Sequence, residues 1–179
     1  MAKSDKPRIL MDSSALLAVI KDEPGADRLD GLLEMIGRGD AELVESVIVL
    51  GEVFKQSDAA DETERRRSDE RLGNIRRLLE SREVLLIDVT PPIVRKATEF
   101  RQNKKPKRLP DAIHLATAVL NRCDWLVTFD DDFPDVDGLL TFRWAQLLDP
   151  QVSLPWAIAV QGSLFPVPGN LVPVVGTHP

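Results

Sequence analysis

The sequence holds a single cysteine, Cys123, among 179 residues, which excludes an intramolecular disulfide framework. One thiol cannot build a zinc site by itself either, and this usage is compatible with a reducing compartment. Long apolar runs are missing as well. Stretches such as Val84-Leu85-Leu86-Ile87 are far shorter than the ~20 residues of a membrane-spanning helix. No charged-then-apolar signal segment opens the chain, and residues 1–7 read as a short polar leader. These absences predict a cytoplasmic protein with no membrane contact. Positive charge is also in deficit, with 23 Lys and Arg against 29 Asp and Glu, a net charge of -6. That balance argues against a chain coated in nucleic-acid-binding surface. It leaves room for a local basic patch beside an acidic pocket, the pairing needed where a metal meets a phosphate.

What is present is ordinary for a globular protein: 43% apolar and 29% charged residues, enough for one domain and something extra. The chain is organised around Leu109-Pro110-Asp111-Ala112-Ile113-His114-Leu115-Ala116-Thr117-Ala118. Pro110 suits the first turn of a helix, where its missing N–H has no partner to lose. Asp111 then stands at the helix mouth, where the helix dipole favours a carboxylate. The residues behind it are apolar on most of the helix circumference, which predicts burial. A carboxylate there either caps the helix or holds a cation.

Arg8-Ile9-Leu10-Met11 is an apolar run without period, as in a strand covered on both faces of a parallel sheet, and it ends at Asp12. Helical spacing follows over residues 15–20 and again over 27–37, and residues 37–40 stop the second helix. A short strand at 43–45 leads into a helix over 47–54, on which Glu52 is the acid among apolar residues and Gly51 permits close packing. A lone buried carboxylate there is costly unless it is paired or binds a cation. Alternating acids and bases, including Arg65-Arg66-Arg67, predict a solvated helix from 58 that continues through Leu79. Residues 84–89 read as another buried strand, and Pro91-Pro92 opens the next helix. Trp125-Leu126-Val127-Thr128-Phe129 repeats the first pattern, a buried strand running into a carboxylate at Asp130. Residues 139–142 form a last strand and 145–148 a closing turn or helix. Residues 151–179 carry no Lys, Arg, Asp or Glu and are interrupted by Pro and Gly, which predicts an extended tail lying on its own domain or on a partner.

Strands alternating with helices indicate a parallel α/β sheet. In such a sheet Asp12, Asp111 and Asp130 share one edge, and Glu52 reaches it from its helix. Four carboxylates repel one another unless a cation neutralises them. With no His or Cys at ligand spacing, the all-oxygen set favours Mg²⁺ or Mn²⁺ over zinc and suits phosphodiester chemistry. Just before Asp111, Arg101-Gln102-Asn103-Lys104-Lys105-Pro106-Lys107-Arg108 is the most basic stretch of the chain. It reads as a phosphate-holding loop beside the acids, with a solubilising loop as the alternative. A phosphatase of the haloacid dehalogenase type would need a second Asp two positions after the first, where this chain has Ser14.

Ile9-Leu10-Met11-Asp12-Ser13-Ser14-Ala15-Leu16, then Val49-Leu50-Gly51-Glu52-Val53, the Asp111 segment, and Leu126-Val127-Thr128-Phe129-Asp130-Asp131-Asp132-Phe133 together resemble the four acidic motifs of PIN-domain nucleases. Their order and spacing are similar to the VapC-like toxins of that family. The resemblance implies a three-layer PIN-like domain over 8–150, with a central, mostly parallel sheet flanked by helices and the tail beyond it. It implies a Mg²⁺- or Mn²⁺-dependent endoribonuclease whose acidic set is Asp12, Glu52, Asp111 and Asp130. In that picture Asp12, Asp111 and Asp130 coordinate metal, and Glu52 coordinates or positions the attacking water. Asp132 is an outer-shell candidate, and Ser13 or Thr128 could hydrogen-bond a carboxylate or phosphate. Arg101, Lys104, Lys105, Lys107 and Arg108 are the RNA-binding candidates. The resemblance also implies a homodimer and a small antitoxin protein that blocks the site with a basic side chain. An RNA-processing nuclease without an antitoxin, or a non-catalytic binding module on the same fold, stays open.

Overall fold

A computed structural model describes residues 6–54, 61–103 and 105–157. Among them the chain runs β1 (Arg8–Met11), α1 (Ser13–Lys21), a 3₁₀ turn (Ala26–Leu29), α2 (Asp30–Gly37), β2 (Glu42–Ser46), α3 (Ile48–Val53) and α4 (Glu62–Leu79). It continues through β3 (Val84–Ile87), α5 (Pro91–Gln102), α6 (Leu109–Leu120), β4 (Trp125–Thr128), β5 (Leu140–Arg143) and α7 (Trp144–Leu148). No helix among the described residues is long and apolar enough to cross a membrane.

The strands form one sheet in the order β3-β2-β1-β4-β5, and every pairing is parallel. The chain first steps outward from β1 to β2 to β3, then returns to place β4 on the other side of β1. The order therefore reverses between β1 and β4, and a crevice opens there at the carboxyl ends of the strands. Asp12 follows β1 and Asp130 follows β4, so both stand at this crevice.

Side-chain alternation divides the core into two layers around the sheet. Ile9 and Met11 of β1 join the apolar residues of α1, α2 and α4 on one face. Leu10 and Val44 face Leu115 and Ala118 of α6 on the other. Ile93 and Ala97 of α5 pack against Ala112, Ile113 and Ala116, and cover α6 from outside. The result is the helix–sheet–helix sandwich expected from the sequence.

Two expectations are corrected. The run at 84–89 predicts a buried strand, but β3 is an edge strand with Leu85 40% exposed, because it pairs with β2 alone. Composition reports a strand and says little about which neighbours it will have. Gly51 serves no close approach: it is exposed, and a Cβ placed there would meet nothing within 4 Å. Residues 1–5 of the polar leader, the first residues of the charged segment at 58–60, Lys104 and the tail from 158 onward lie outside the described residues.

The first residues of the uncharged stretch join the core. Leu154 and Trp156 are buried, and the Trp156 ring lies 4.7 Å from Phe142 and 5.6 Å from Trp125 between centroids. Its Nε1 donates to the Arg28 carbonyl at 2.8 Å. The Arg28 guanidinium in turn donates to the carbonyls of Leu147, Asp149 and Val152. A Cβ on Gly31 would come within 2.6 Å of the Trp156 carbonyl oxygen, so only glycine allows this approach. Trp156→Ala is expected to lower unfolding free energy by about 3–5 kcal/mol in a denaturant titration. A loss below about 1 kcal/mol would show that this segment is not part of the cooperative core.

Candidate active site

Asp12 ends β1 by taking the N-cap of α1. Its backbone is extended, with φ -68° and ψ 168°, and its N–H still donates to the Val127 carbonyl at 3.0 Å. One carboxylate oxygen, Oδ1, accepts the Ala15 N–H at 3.0 Å and the Ser14 hydroxyl at 2.6 Å. The other, Oδ2, accepts the Thr128 hydroxyl at 3.0 Å from the end of β4. Burial pushes this carboxyl above the usual aspartate value, against the Ser14 hydrogen bond, the His114 charge and the bonds from Ala15 and Thr128. Capping and a place at the crevice are thus combined in one residue.

Asp111 is the third residue of α6. The cap position belongs to Arg108, which makes no side-chain cap bond, so Asp111 is not the helix cap. Its side chain is 6% exposed, and Oδ2 is buried with no hydrogen-bond partner. Burial pushes the Asp111 carboxyl up to about 6; the Arg108 guanidinium opposes this, while the charges of Asp130, Asp12 and Glu52 reinforce it. Asp111 therefore stands in the field of the other three acids found in the sequence.

Glu52 reaches that field from α3. Its Oε2 lies 2.8 Å from Nε2 of His114, a residue of α6 with no exposed surface. Burial opposes ionisation of Glu52, but the His114 hydrogen bond and charge, the Ser13 hydroxyl and Arg108 outweigh it and hold the carboxyl below its usual value. The lone acid on an apolar helix is paired after all.

The β4 end is organised by backbone donors. The Asp130 N–H donates to the Thr128 hydroxyl oxygen at 2.9 Å, and Asp130 Oδ1 accepts the Asp132 N–H at 2.8 Å. Asp132 Oδ2 then accepts the Lys107 N–H at 2.9 Å, and the Arg101 Nε–H donates to the Lys107 carbonyl at 3.1 Å. The basic loop is thereby tied to the acidic one. Arg101, Lys105, Lys107 and Arg108 are all exposed. Lys104, between them, lies outside the described residues. Among the described residues, no three His, Cys, Asp or Glu side chains stand close enough to form a ready-made ligand set.

Three residues of this neighbourhood escaped the sequence reading. Ser14 bridges the two strand ends, donating to Asp12 and accepting the Phe129 N–H at 2.8 Å. His114 follows Asp111 by three residues, a spacing that puts both on one helix face and could have signalled it. Glu45 is fully buried on β2. Its Oε1 accepts the Met11 N–H at 2.9 Å, beyond the last β1–β2 partners Ile9 and Leu43. Burial pushes Glu45 well above the usual glutamate value, with the Met11 bond opposing and the charges of Asp12 and Glu52 adding to the rise. A charged residue inside an apolar strand was the available signal.

The raised Asp111 value fixes a sign. Between the ordinary aspartate value near 4 and about 6, the folded protein keeps a proton that the unfolded chain has lost. Stability supplied by that proton is fully present below this window and is lost as pH rises through it. Asp111→Asn should remove up to about 3 kcal/mol of this decline when unfolding is measured from pH 4 to pH 7. Equal pH slopes in the parent and the variant would contradict the raised Asp111 value.

The family model described as PIN domain matches residues 9–139, a span that contains all four acids. No curated protein matches the chain. Among solved structures, VapBC2 from Rickettsia felis bound to a DNA fragment from their promoter is similar at 18% identity and a TM-score of 0.55, covering 76% of this chain and 98% of that one. The Sarcin-Ricin loop cleaving toxin VapC20 from Mycobacterium tuberculosis is similar at 20% identity and a TM-score of 0.49, over 70% and 92% of the two chains. A toxin-antitoxin complex from Klebsiella pneumoniae stands at 25% identity and 0.46, over 74% and 96%. Such likeness concerns the fold. The match across residues 9–139 concerns the chain itself, which belongs to the PIN domain family.

Proposed function

We propose that this protein is a divalent-metal-dependent endoribonuclease, a VapC-like toxin held in check by a small antitoxin protein. The observation that carries the reading is Asp111: a buried carboxylate with a partnerless oxygen, pushed up to about 6 in part by three other acids. A cation among these groups relieves both the repulsion and the missing contact. All the donors are oxygens except His114, whose Nε2 is engaged by Glu52. A loosely gathered oxygen set fits Mg²⁺ or Mn²⁺, which keep several waters and need only one or two carboxylates. Asp12, Asp111 and Asp130 would hold the ion, with Asp132, Ser13 and Thr128 orienting the carboxylates around it. When bound, such an ion lowers the pKa of an attacking water and stabilises charge on the leaving oxygen.

The chain's own groups do the rest. Glu52 is held below its usual value and stands ready as an ionised carboxylate to orient the attacking water. Arg101, Lys105, Lys107 and Arg108, with Lys104, hold RNA phosphates that the acids would otherwise repel. The Lys107–Asp132 bond keeps this loop beside the acids. The same negative field suits a basic side chain of an antitoxin, which would compete with the cation. A homodimer belongs to this reading as well.

Purified protein given a structured-RNA pool should cut it with Mg²⁺ or Mn²⁺ and stop on chelation. Asp12→Asn and Asp111→Asn should lower the rate by about 100-fold or more while remaining folded. A folded parent that neither cuts RNA nor binds Mn²⁺ would overturn the reading and leave a binding module. Lys105→Ala with Lys107→Ala should also flatten the salt dependence of RNA binding by about 1.4 in log–log slope, the value for two lost phosphate contacts on a single strand. An unchanged slope would remove the loop from the RNA path.

A further inference from the structure

Glu52 has little on its own helix to fix its direction. The helix α3 covers only Ile48–Val53, its N-cap makes no side-chain bond, and the residue before Glu52 is the exposed Gly51. A glutamate on such a turn has three free torsions and would otherwise sample several rotamers. The restraint comes from elsewhere in the chain, from the Ser13 hydroxyl of α1 and, more strongly, from His114. His114 lies on α6, with no exposed surface, and places Nε2 at 2.8 Å from Glu52 Oε2. An ionised carboxylate only accepts, so Nε2 must carry the proton. Nδ1 is buried with no partner, and nothing at that end competes for the imidazole.

Asp111 sits one turn earlier on α6. One helix thus presents an acid of its own and holds a second acid that belongs to another element. A buried residue serving only to fill space would need no polar head; leucine would do. We propose that His114 is a positioning residue, which fixes Glu52 at the acid cluster through its Nε2–H and so sets how Glu52 orients the attacking water. This rests on the nuclease reading above. Partners of this kind behind a catalytic group commonly change activity by about 10- to 100-fold when removed.

The test compares His114→Gln, His114→Asn and His114→Leu in the full chain, each checked for a cooperative melt. A glutamine amide can reach the position of Nε2, whereas an asparagine amide stops near Nδ1. With Mn²⁺ and RNA, the Leu and Asn variants should lose about 10- to 100-fold in kcat with KM within about twofold, and Gln should recover most of it. In a Glu52→Gln background, His114→Leu should cost nothing further. Asn matching Gln, or losses that multiply with Glu52→Gln, would overturn the proposal. A readout without RNA or metal separates its failure from that of the nuclease reading. In imidazole ¹⁵N spectra of the parent, His114 should be protonated at Nε2, with a resonance that moves on Glu52→Gln. An Nε2 without a proton, or no response to Glu52→Gln, overturns the proposal even if RNA is cut; the expected spectrum in a protein that cuts no RNA overturns only the nuclease reading.

Discussion

Like-charge repulsion among carboxylates is the constraint on which this structure turns. Asp12, Asp111 and Asp130 would separate if they were free to do so, and the Asp111 carboxyl is pushed up to about 6, first by burial and then by the charges of Asp130, Asp12 and Glu52. What keeps them near one another is the parallel sheet. β1 and β4 pair in register at Met11 and Val127, so the residues beyond them leave the sheet side by side. α6 packs on the same sheet through Leu115 and Ala118, which brings its N-terminal turn to that edge. Apolar burial on both faces of the sheet, worth about 25 cal/mol per Å² of apolar surface, opposes the repulsion.

The donors around the acids show how the cost is contained. Asp12 accepts bonds from Ser14, Ala15 and Thr128, and Asp130 accepts the Asp132 N–H. Glu52 has His114. Asp111 is the exception, since Oδ2 has no partner. One incompletely satisfied carboxylate within an otherwise bonded set is where a cation would be felt most. Glu45 lies behind this group, and burial pushes its carboxyl well above the usual glutamate value.

Much of this was legible in the residues. Unbroken apolar runs ending in Asp12 and near Asp130 gave parallel strands with acids at their carboxyl ends, and Pro110 marked the start of α6 within one residue. What escaped was set through space. Nothing local distinguishes β3 as an edge strand, because edge position depends on where β4 returns. Trp156 looked like part of a tail until its ring met Phe142, Trp125 and the gap left by Gly31. His114 and Glu45 are polar residues on buried faces, and their partners, Glu52 and the Met11 N–H, lie far away in sequence. Single-residue patterns find the acids; the groups that hold them are found only by folding the chain.

In the proposed reading, the four carboxylates form one coupled, cation-seeking group. Its most direct measurement is a ¹³C NMR titration of the Asp111 side-chain carboxyl, without metal and then with Mg²⁺. A midpoint near 6 is expected without metal, falling below the ordinary aspartate range when Mg²⁺ is present. A midpoint near 4 that Mg²⁺ leaves unmoved would mean that Asp111 neither feels the other acids nor takes part in binding a cation.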